Sequence, residues 1–338
     1  MSTRRAFLSS TAALSAAAAA ACAKPAGDSA KGAAAANAED ELDGEPISPI
    51  TPNDTFYHVT YSGWLPPEGY REAWTLTVVG LDGTETVYTA AELEARGGEE
   101  VEHTLECIGS SSGRSISNAR WRGIRMATLL GEPALLGETP AKYLNFFCGD
   151  DYHTAVPAAD FETGIMLVWE MNGVPLPDDH GGPVRVLTPG RYGMKNPKWI
   201  ERIELSDEAD VGTWESRGWS DTCIYQVSSW IHAPAANAVV PLAGVWMVGS
   251  AFAGSIPITT VEVSDDGGQS WTEVEITYQN GPDVWTLWRY FWIPPEHGVY
   301  ELMVRAKDES GRVQTAAEEY DSDLDGFEGI FSIAVTVA

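Results

Sequence analysis

Two regimes of apolar patterning divide the chain. From Pro46 to about Asp207, strand-like runs are interleaved with short helical stretches. Trp74-Thr75-Leu76-Thr77-Val78-Val79 alternates and is closed by Gly80, which predicts a strand. Thr89 to Arg96 opens on a hydroxyl residue with Glu92 three positions later and stops at Gly97-Gly98, which predicts a short capped helix. Val101 to Leu105 reads as a strand running into Cys107, and the stretch from there to Arg122 reads as polar loop. Ile124 to Leu130 reads as helix, and Tyr143 to Cys148, Ile165 to Met171 and Val184 to Thr188 read as strands. Asn172-Gly173 is a hairpin-type turn. No βαβ regularity is present, so this half is expected to be a mixed α+β domain.

From about Val211 onward helix signals almost vanish. Val245 to Val248, Thr260 to Val263, Trp271 to Thr277, Trp285 to Trp292, Val299 to Arg305 and Ile330 to Val337 are strand candidates with turns between them. That spacing predicts an immunoglobulin-like β-sandwich. The expected division is a leader over 1–23, a solvated linker over 24–45, and domains over 46–210 and 211–338. The linker assignment follows from an Ala, Gly, Asp and Glu composition almost free of large apolar residues.

Charge and composition narrow the partners. The 338 residues carry 21 basic and 49 acidic side chains, a formal net charge of −28. Phosphate backbones need a cationic face, so a nucleic-acid partner is excluded, and adsorption to an anionic membrane is disfavoured. Four cysteines in a chain this long do not make a disulfide scaffold. The N-terminus reads Thr3-Arg4-Arg5-Ala6-Phe7-Leu8 before an Ala-rich run, which resembles a twin-arginine export signal. That route carries folded proteins and leads to a periplasmic or other extracytoplasmic location. Cys22 follows Ala19-Ala20-Ala21 and has two readings, a lipid attachment site or a residue discarded by cleavage near Ala23.

Several familiar motifs fail on context. Gly109-Ser110-Ser111-Ser112-Gly113 has the letters of a nucleophile elbow but sits in polar loop rather than between a strand and a helix. Ser264 to Trp271 matches one sialidase-type Asp box, where a propeller needs several copies. Asp321, Asp323, Asp325 and Gly326 begin like a calcium loop, but Ser332 stands where a bidentate Glu is required. Neither C-x-x-C-H nor a phosphate-binding glycine loop occurs.

One ordered constellation remains. It runs Thr51-Pro52-Asn53-Asp54-Thr55-Phe56-Tyr57, His103-Thr104-Leu105-Glu106-Cys107-Ile108-Gly109, Trp121-Arg122-Gly123-Ile124, Trp169 to Pro177, His180-Gly181-Gly182-Pro183-Val184-Arg185, Pro189 to Gly193 and Lys198-Trp199-Ile200. This set closely resembles the sulfite oxidase family of molybdenum enzymes, over nearly everything from Pro46 to the C-terminus. The resemblance implies a molybdopterin domain over 46–210, a dimerisation-type sandwich over 211–338, and a homodimer. It implies Mo-molybdopterin as cofactor, with Cys107 as the molybdenum ligand. A soft thiolate suits such a centre. Arg185 and Lys198 would meet the pterin phosphate, His180 would hydrogen-bond the cofactor, and Asn53, Phe56, Tyr57 and His58 match the segment that lines it. Asp151 matches a polar contact, and Asn196-Pro197-Lys198 the loop at the phosphate end. Cys148 and Cys223 match no role; buried thiols and a disulfide both stay open.

The departures bear on substrate. Sulfite oxidases surround their anion with arginines; here His58-Val59 and Ser110-Ser111-Ser112 stand in two of those places, before Arg114. The family's active-site tyrosine falls near Trp219. Arg114 and Trp219 are therefore the candidate substrate-side residues, with Arg120 and Arg122 as further candidates for an anionic entrance. Arg191-Tyr192-Gly193-Met194-Lys195 looks like the exported protein-methionine-sulfoxide reductase branch, which lacks the second domain. The reading is an oxygen-atom-transfer enzyme whose substrate is not sulfite, with sulfite dehydrogenase and sulfoxide reductase as alternatives. With no haem signature in the chain, electrons go to a separate partner, a c-type cytochrome or a quinone-linked subunit. Outside catalysis, the alternatives are a cofactor-free binding protein on the same fold and a β-domain adhesin.

Overall fold

The computed structural model describes residues 46–131, 141–315 and 323–338. The expected export signal, Cys22, the linker and Asp321 lie outside the described residues. Among the described residues ten strands make the first half: β1 (Thr75–Val79), β2 (Glu85–Thr89), β3 (Glu99–Glu106), β4 (Ile116–Arg125), β5 (Tyr143–Cys148), β6 (His153–Pro157), β7 (Met166–Met171), β8 (Val174–Pro175), β9 (Arg185–Leu187) and β10 (Ile200–Ser206). One sheet has the order β2-β1-β10-β5-β6, with β1 and β10 parallel. The other has the order β3-β4-β7-β8, with β9 also paired to β7. Helices are few and short: α1 (Tyr70–Ala73), α2 (Ala90–Glu94) and α3 (Met126–Leu130). Thr89 caps α2 as its sequence demands: its side chain accepts the Glu92 N–H, and Glu92 accepts the Thr89 N–H in return. At the β7–β8 turn Asn172 and Gly173 both take positive φ, 52° and 77°, as a tight hairpin requires.

The second half is a sandwich of β11 (Ser228–Ala233), β12 (Val239–Val240), β13 (Val245–Phe252), β14 (Ile258–Ser264), β15 (Thr272–Glu273), β16 (Glu275–Tyr278), β17 (Thr286–Trp292), β18 (Gly298–Asp308) and β19 (Phe331–Val337). Its sheets run β11-β13-β17-β16 and β12-β19-β18-β14-β15. One apolar core crosses from half to half, joining Leu76, Phe146 and Ile200 to Trp230, Phe252 and Trp285. A second lies inside the sandwich, and a third, around Phe56, Leu105, Trp121 and Met166, lies under β3, β4 and β7.

Two expectations are corrected. The stretch before Arg122 is not loop: Ile116 to Arg125 form the ten-residue strand β4, so helix begins only at Met126. Its alternation is masked because polar residues occupy inward positions. Asn118 is fully buried and bonded to the Thr104 hydroxyl, the Glu102 carboxylate and the Pro49 carbonyl. The sequence reading also misses β11, which opens on two buried serines, Ser228 and Ser229. The Ser229 hydroxyl donates to Gln314 Oε1 at 2.5 Å, which pays its desolvation.

β4 crosses β7 so closely at Gly123 that a Cβ there would stand 2.0 Å from the Leu167 carbonyl oxygen. Gly123→Ala is expected to cost about 2 kcal/mol by overpacking. Calorimetry should show a lower melting temperature; an unchanged one would mean that the two strands separate freely.

Candidate active site

Period-two geometry at the end of β3 sets the site. Leu105 and Cys107 line an open cleft, while Glu106 between them is buried on the other side, against the sandwich. The Glu106 carboxyl accepts from the Ser228 hydroxyl and from Trp230 Nε1, both at 3.2 Å. Burial among neutral donors pushes it up to about 8. Just past the strand, the Cys107 N–H donates to the Ser115 carbonyl at 2.9 Å, and the Ser110 N–H donates back to the Cys107 carbonyl at 2.9 Å.

The cleft encloses about 820 Å³, its mouth included. Phe56 and Tyr57 form one wall, and Phe56 packs edge-on against Trp121 and His180. His180 comes from the 3-10 turn Asp178–His180, and its Nε2 donates to the Asn53 carbonyl at 2.8 Å. Arg185, at the start of β9, is 5% exposed. Its two terminal nitrogens donate to the His180 and Asn196 carbonyls at 3.0 and 2.8 Å, and its Nε has no partner. Asn196 braces the loop: its Oδ1 accepts from the Thr188 N–H, and its Nδ2 donates to the Arg191 and Tyr192 carbonyls. Lys198 donates to the Asp179 carbonyl at 3.0 Å and lies over the Trp199 ring. Trp199 itself has a positive φ of 52°, uncommon for a bulky residue, beside Lys198 in the cleft. Gly181 is needed opposite, because a Cβ there would meet Lys198 Cβ at 2.9 Å and Arg185 Cβ at 3.1 Å.

The cleft therefore holds two cations in apolar surroundings. Neither Arg185 nor Lys198 is in a salt bridge among the described residues. Burial lowers the Arg185 guanidinium to about 10; burial, then the Arg185 charge, lowers the Lys198 amine to about 7. Burial, then the Lys198 charge, holds His58 down to about 4. The other nearby cations are already spent. Arg191 pairs with Asp160 and donates to the Thr222 carbonyl, and Lys195 pairs with Glu215, both side chains almost wholly buried.

Of the sequence-predicted residues, Phe56, Tyr57, Cys107, His180, Arg185, Asn196, Pro197, Lys198 and Trp219 come together around the cleft. Asn53, His58, Asp151 and Arg114 do not line it. Asn53 holds His180 through its carbonyl, and its side-chain oxygen accepts from Asn172 at 2.7 Å. His58 packs against the His180 ring at 6.1 Å. Asp151 is exposed at φ 63° in a tight turn, and its neighbour Asp150, buried with its carboxyl raised by desolvation, faces the cleft instead. Arg114 is exposed beyond Gly113, which is packed on Trp230. Arg120 and Arg122 lie on the outer face of β4, in register with Glu102 and Glu100, so no anionic entrance forms there. Tyr61, Asp150, Tyr152, Met194 and Trp214 also line the cleft, and the sequence reading gave them no role there. The only local signal is that Trp214 stands five residues before Trp219 and Tyr61 three after His58. Cys148 and Cys223 are separate buried thiols with no disulfide between them; burial raises both, Cys223 to about 12.

Comparison with known proteins agrees with this architecture. A family model described as an oxidoreductase molybdopterin binding domain matches residues 62–214, and a Mo-co oxidoreductase dimerisation domain matches 221–322. Mitochondrial sulfite oxidase of Mus musculus is 28% identical over 316 residues, covering 78% of this chain and 57% of the mouse protein. Sulfite oxidase of Gallus gallus is 29% identical over 317 residues, covering 78% of this chain and 68% of its own. The chain thus spans little more than half the length of the mouse relative. The crystal structure of the sulfane dehydrogenase SoxCD from Paracoccus pantotrophus shares the fold, with a TM-score of 0.75, 23% identity, and 85% of this chain and 81% of that one covered. The chain thus carries a domain of the oxidoreductase molybdopterin-binding type followed by one of the Mo-co oxidoreductase dimerisation type. Across both it is similar to sulfite oxidases.

The residues present fit the molybdopterin that the first matched domain implies. A buried guanidinium with an orphaned Nε and an unneutralised lysine amount to a site short of an anion, which a phosphate supplies. A half-buried cysteine in the same cleft offers the soft ligand.

Two measurements follow from these charges. Below pH 7 Lys198 carries its proton in both folded and unfolded chains, and the burial penalty is complete. Between pH 7 and its ordinary value of 10.5 the unfolded chain binds more proton, so the cofactor-free protein should gain stability as pH rises through that window. Urea titrations should show that rise in wild type and its loss in Lys198→Met. Separately, Lys195→Met strands the buried Glu215 carboxylate and should cost about 3–5 kcal/mol, whereas Lys195→Met with Glu215→Leu should recover much of it.

Proposed function

We propose that this chain is a molybdenum-molybdopterin enzyme of oxygen-atom transfer whose substrate is not sulfite. The carrying observation is the placement of Cys107 in one cleft with two cations that lack an anion, Arg185 and Lys198. In this reading Cys107 binds molybdenum, Arg185 and Lys198 hold the pterin phosphate, and His180, fixed by the Asn53 carbonyl, hydrogen-bonds the pterin. Asn196 and Pro197 shape the phosphate end. Bound molybdenum supplies the two-electron oxygen transfer, between its VI and IV states. The protein's part is to fix the thiolate, neutralise the phosphate and wall the reacting face from water. Electrons pass singly to a separate partner, a c-type cytochrome or a quinone-linked subunit.

Sulfite is disfavoured because the arginine that lines the cleft, Arg185, is assigned to the phosphate in this reading, and Arg114, Arg120 and Arg122 are all outside the cleft. A sulfite dehydrogenase is the second reading, favoured by the likeness to sulfite oxidases. The likeness of Arg191 and Lys195 to the protein-methionine-sulfoxide reductase branch carries less, because both side chains are engaged in ion pairs. We further propose catalytic and sandwich domains over 46–210 and 211–338, a homodimer through the second, and export by the twin-arginine route to the periplasm. Either reading of Cys22, anchor or discarded residue, accords with that route.

Elemental analysis of protein from a molybdenum-replete host is the test. About one molybdenum per chain is expected, falling to background in Cys107→Ser with the fold unchanged by circular dichroism. Well-folded wild type without molybdenum would leave a binding protein on this fold. Turnover of sulfite at a rate matching that of organic sulfoxides would overturn the exclusion of sulfite.

A further inference from the structure

One wall of the cleft is built unlike the others. Over 58–69 the chain forms neither helix nor strand, and none of these residues is buried. Val59, Thr60 and Tyr61 line the cleft, Tyr61 at 37% exposure, so this stretch stands between the cleft and solvent. Both ends are fixed. The Tyr57 N–H donates to the Ser117 hydroxyl at 3.1 Å. The Tyr70 N–H donates to the Pro67 carbonyl at 3.0 Å, and Arg71 of α1 donates to the Leu176 carbonyl at 2.6 Å. Over 58–66, no main-chain group bonds to a described residue outside the segment: the Gly63 N–H goes to the Thr60 hydroxyl and the Trp64 N–H to the Ser62 hydroxyl. Side chains hold the middle. Trp64 meets Trp199 edge-on at 4.9 Å and Tyr70 at 5.4 Å, and Tyr61 stands edge-on to Trp214 at 5.8 Å. Arg217, from the 3-10 turn Glu215–Arg217, lies over the Tyr61 and Trp214 rings at 4.9 Å each and donates to the Tyr61 hydroxyl at 2.9 Å.

We propose that residues 58–66 are a lid on the cleft, latched by Arg217 through Tyr61, which opens to admit the occupant of the cleft and closes over it. A segment with no main-chain tie to the body opens at a cost set by a few side-chain contacts, far below that of global unfolding. The other walls are tied by their main chain. Cys107 is bonded to Ser115, Tyr152 to Cys148 and Asn196 to Gly193, and Arg185 pairs with Val168 across β9 and β7. The wall that gives way is therefore 58–66. Its composition favours closure: Val59, Tyr61, Trp64 and Leu65 carry apolar surface that is not buried, Leu65 at 53% exposure, and they gain by packing on whatever fills the cleft. A closed lid keeps water from a reacting centre. The lid stands on the cleft itself; it rests on the molybdopterin reading only for what loads the protein in one arm of the test.

The test uses the full chain, cofactor-free and molybdenum-loaded. Chymotrypsin is added under native conditions, and cleavage after Tyr61, Trp64 and Leu65 is followed by mass spectrometry. In cofactor-free protein this cleavage should depend little on urea, the mark of local opening, and loading should slow it at least about tenfold. Arg217→Gln removes a hydrogen bond and two cation–ring contacts. It should speed cleavage of the cofactor-free lid about fivefold to tenfold and leave sites in the sandwich within about twofold. A second arm needs no molybdenum: the rates at which methyl methanethiosulfonate and the bulky N-(1-pyrenyl)maleimide modify Cys107, read by peptide mapping. Arg217→Gln should raise the pyrene rate about fivefold to tenfold and leave the small reagent within about twofold. Equal cleavage of free and loaded protein would mark an exposed loop with no bearing on the cleft and overturn the lid. Cleavage rising with urea as steeply as global unfolding would overturn local opening, and an unchanged pyrene rate in Arg217→Gln would overturn the latch. Protein that takes up no molybdenum but shows the pyrene difference refutes the enzyme reading and upholds the lid; loaded protein cut as fast as free refutes the lid and upholds the enzyme.

Discussion

Everything at the site depends on how the end of β3 is clamped. Alternation along that strand forces Glu106 to face away from the cleft if Leu105 and Cys107 face into it. Away from the cleft there is no water, only Ser228 and Trp230 of the sandwich. The carboxyl is therefore buried between domains, bonded to neutral donors and held largely protonated at neutral pH. The same strand is tied across at three more points. Thr104 donates its N–H to the Asp283 carbonyl and accepts from the Trp285 N–H, Tyr278 donates to Glu102, and Tyr225 accepts the Glu106 N–H. The sandwich is thus part of what fixes the cysteine, whatever it also does in assembly. A cysteine at a strand end would otherwise fray with its loop, and a side chain that works in a cleft has to be held to within a fraction of an ångström.

The second constraint is electrostatic. Along this cleft cations and anions are not paired by proximity. Arg191 and Lys195, which brace the 193–195 turn, are neutralised by Asp160 and Glu215. Arg185 and Lys198, which line the cleft, donate to backbone carbonyls and lie over the Trp121 and Trp199 rings, with no carboxylate in ion-pair contact among the described residues. Carbonyls satisfy donors without cancelling charge, so both groups resist burial as cations. The difference within one short segment separates ion-paired residues that hold the loop from unpaired ones that face the cleft, and composition alone could not have drawn it.

How much of this was legible follows from where polar residues sit. Strands with clean alternation, such as Thr75–Val79, and continuous apolar runs, such as Met166–Met171, were readable, as were the Thr89 capping box and the Asn172-Gly173 turn. β4 and β11 were not, because Asn118, Ser228 and Ser229 occupy core positions through bonds to distant partners, and no local pattern reports those. At the site, the ordered motifs placed Cys107, His180, Arg185 and Lys198 in one cleft, since each sits on a rigid strand end or a glycine-constrained turn. Asp151 was displaced by one position because a left-handed residue in the turn moved the facing role to Asp150. Arg114 was displaced because the packing of Gly113 on Trp230 is a contact between domains, invisible at short range. Tyr61, Tyr152 and Trp214 were given no role because they come from separate segments and carry no motif that ties them to one another.

The overall charge acts at longer range. With a formal charge of −28, the protein surface repels anions over the screening distance of about 8 Å at physiological salt and attracts cations. An anion approaching the cleft meets that field first, whereas a neutral molecule does not. Arg185 and Lys198 are therefore two positive groups set inside a strongly negative protein, and their attraction for an anion is felt only within the cleft, where the low dielectric strengthens it.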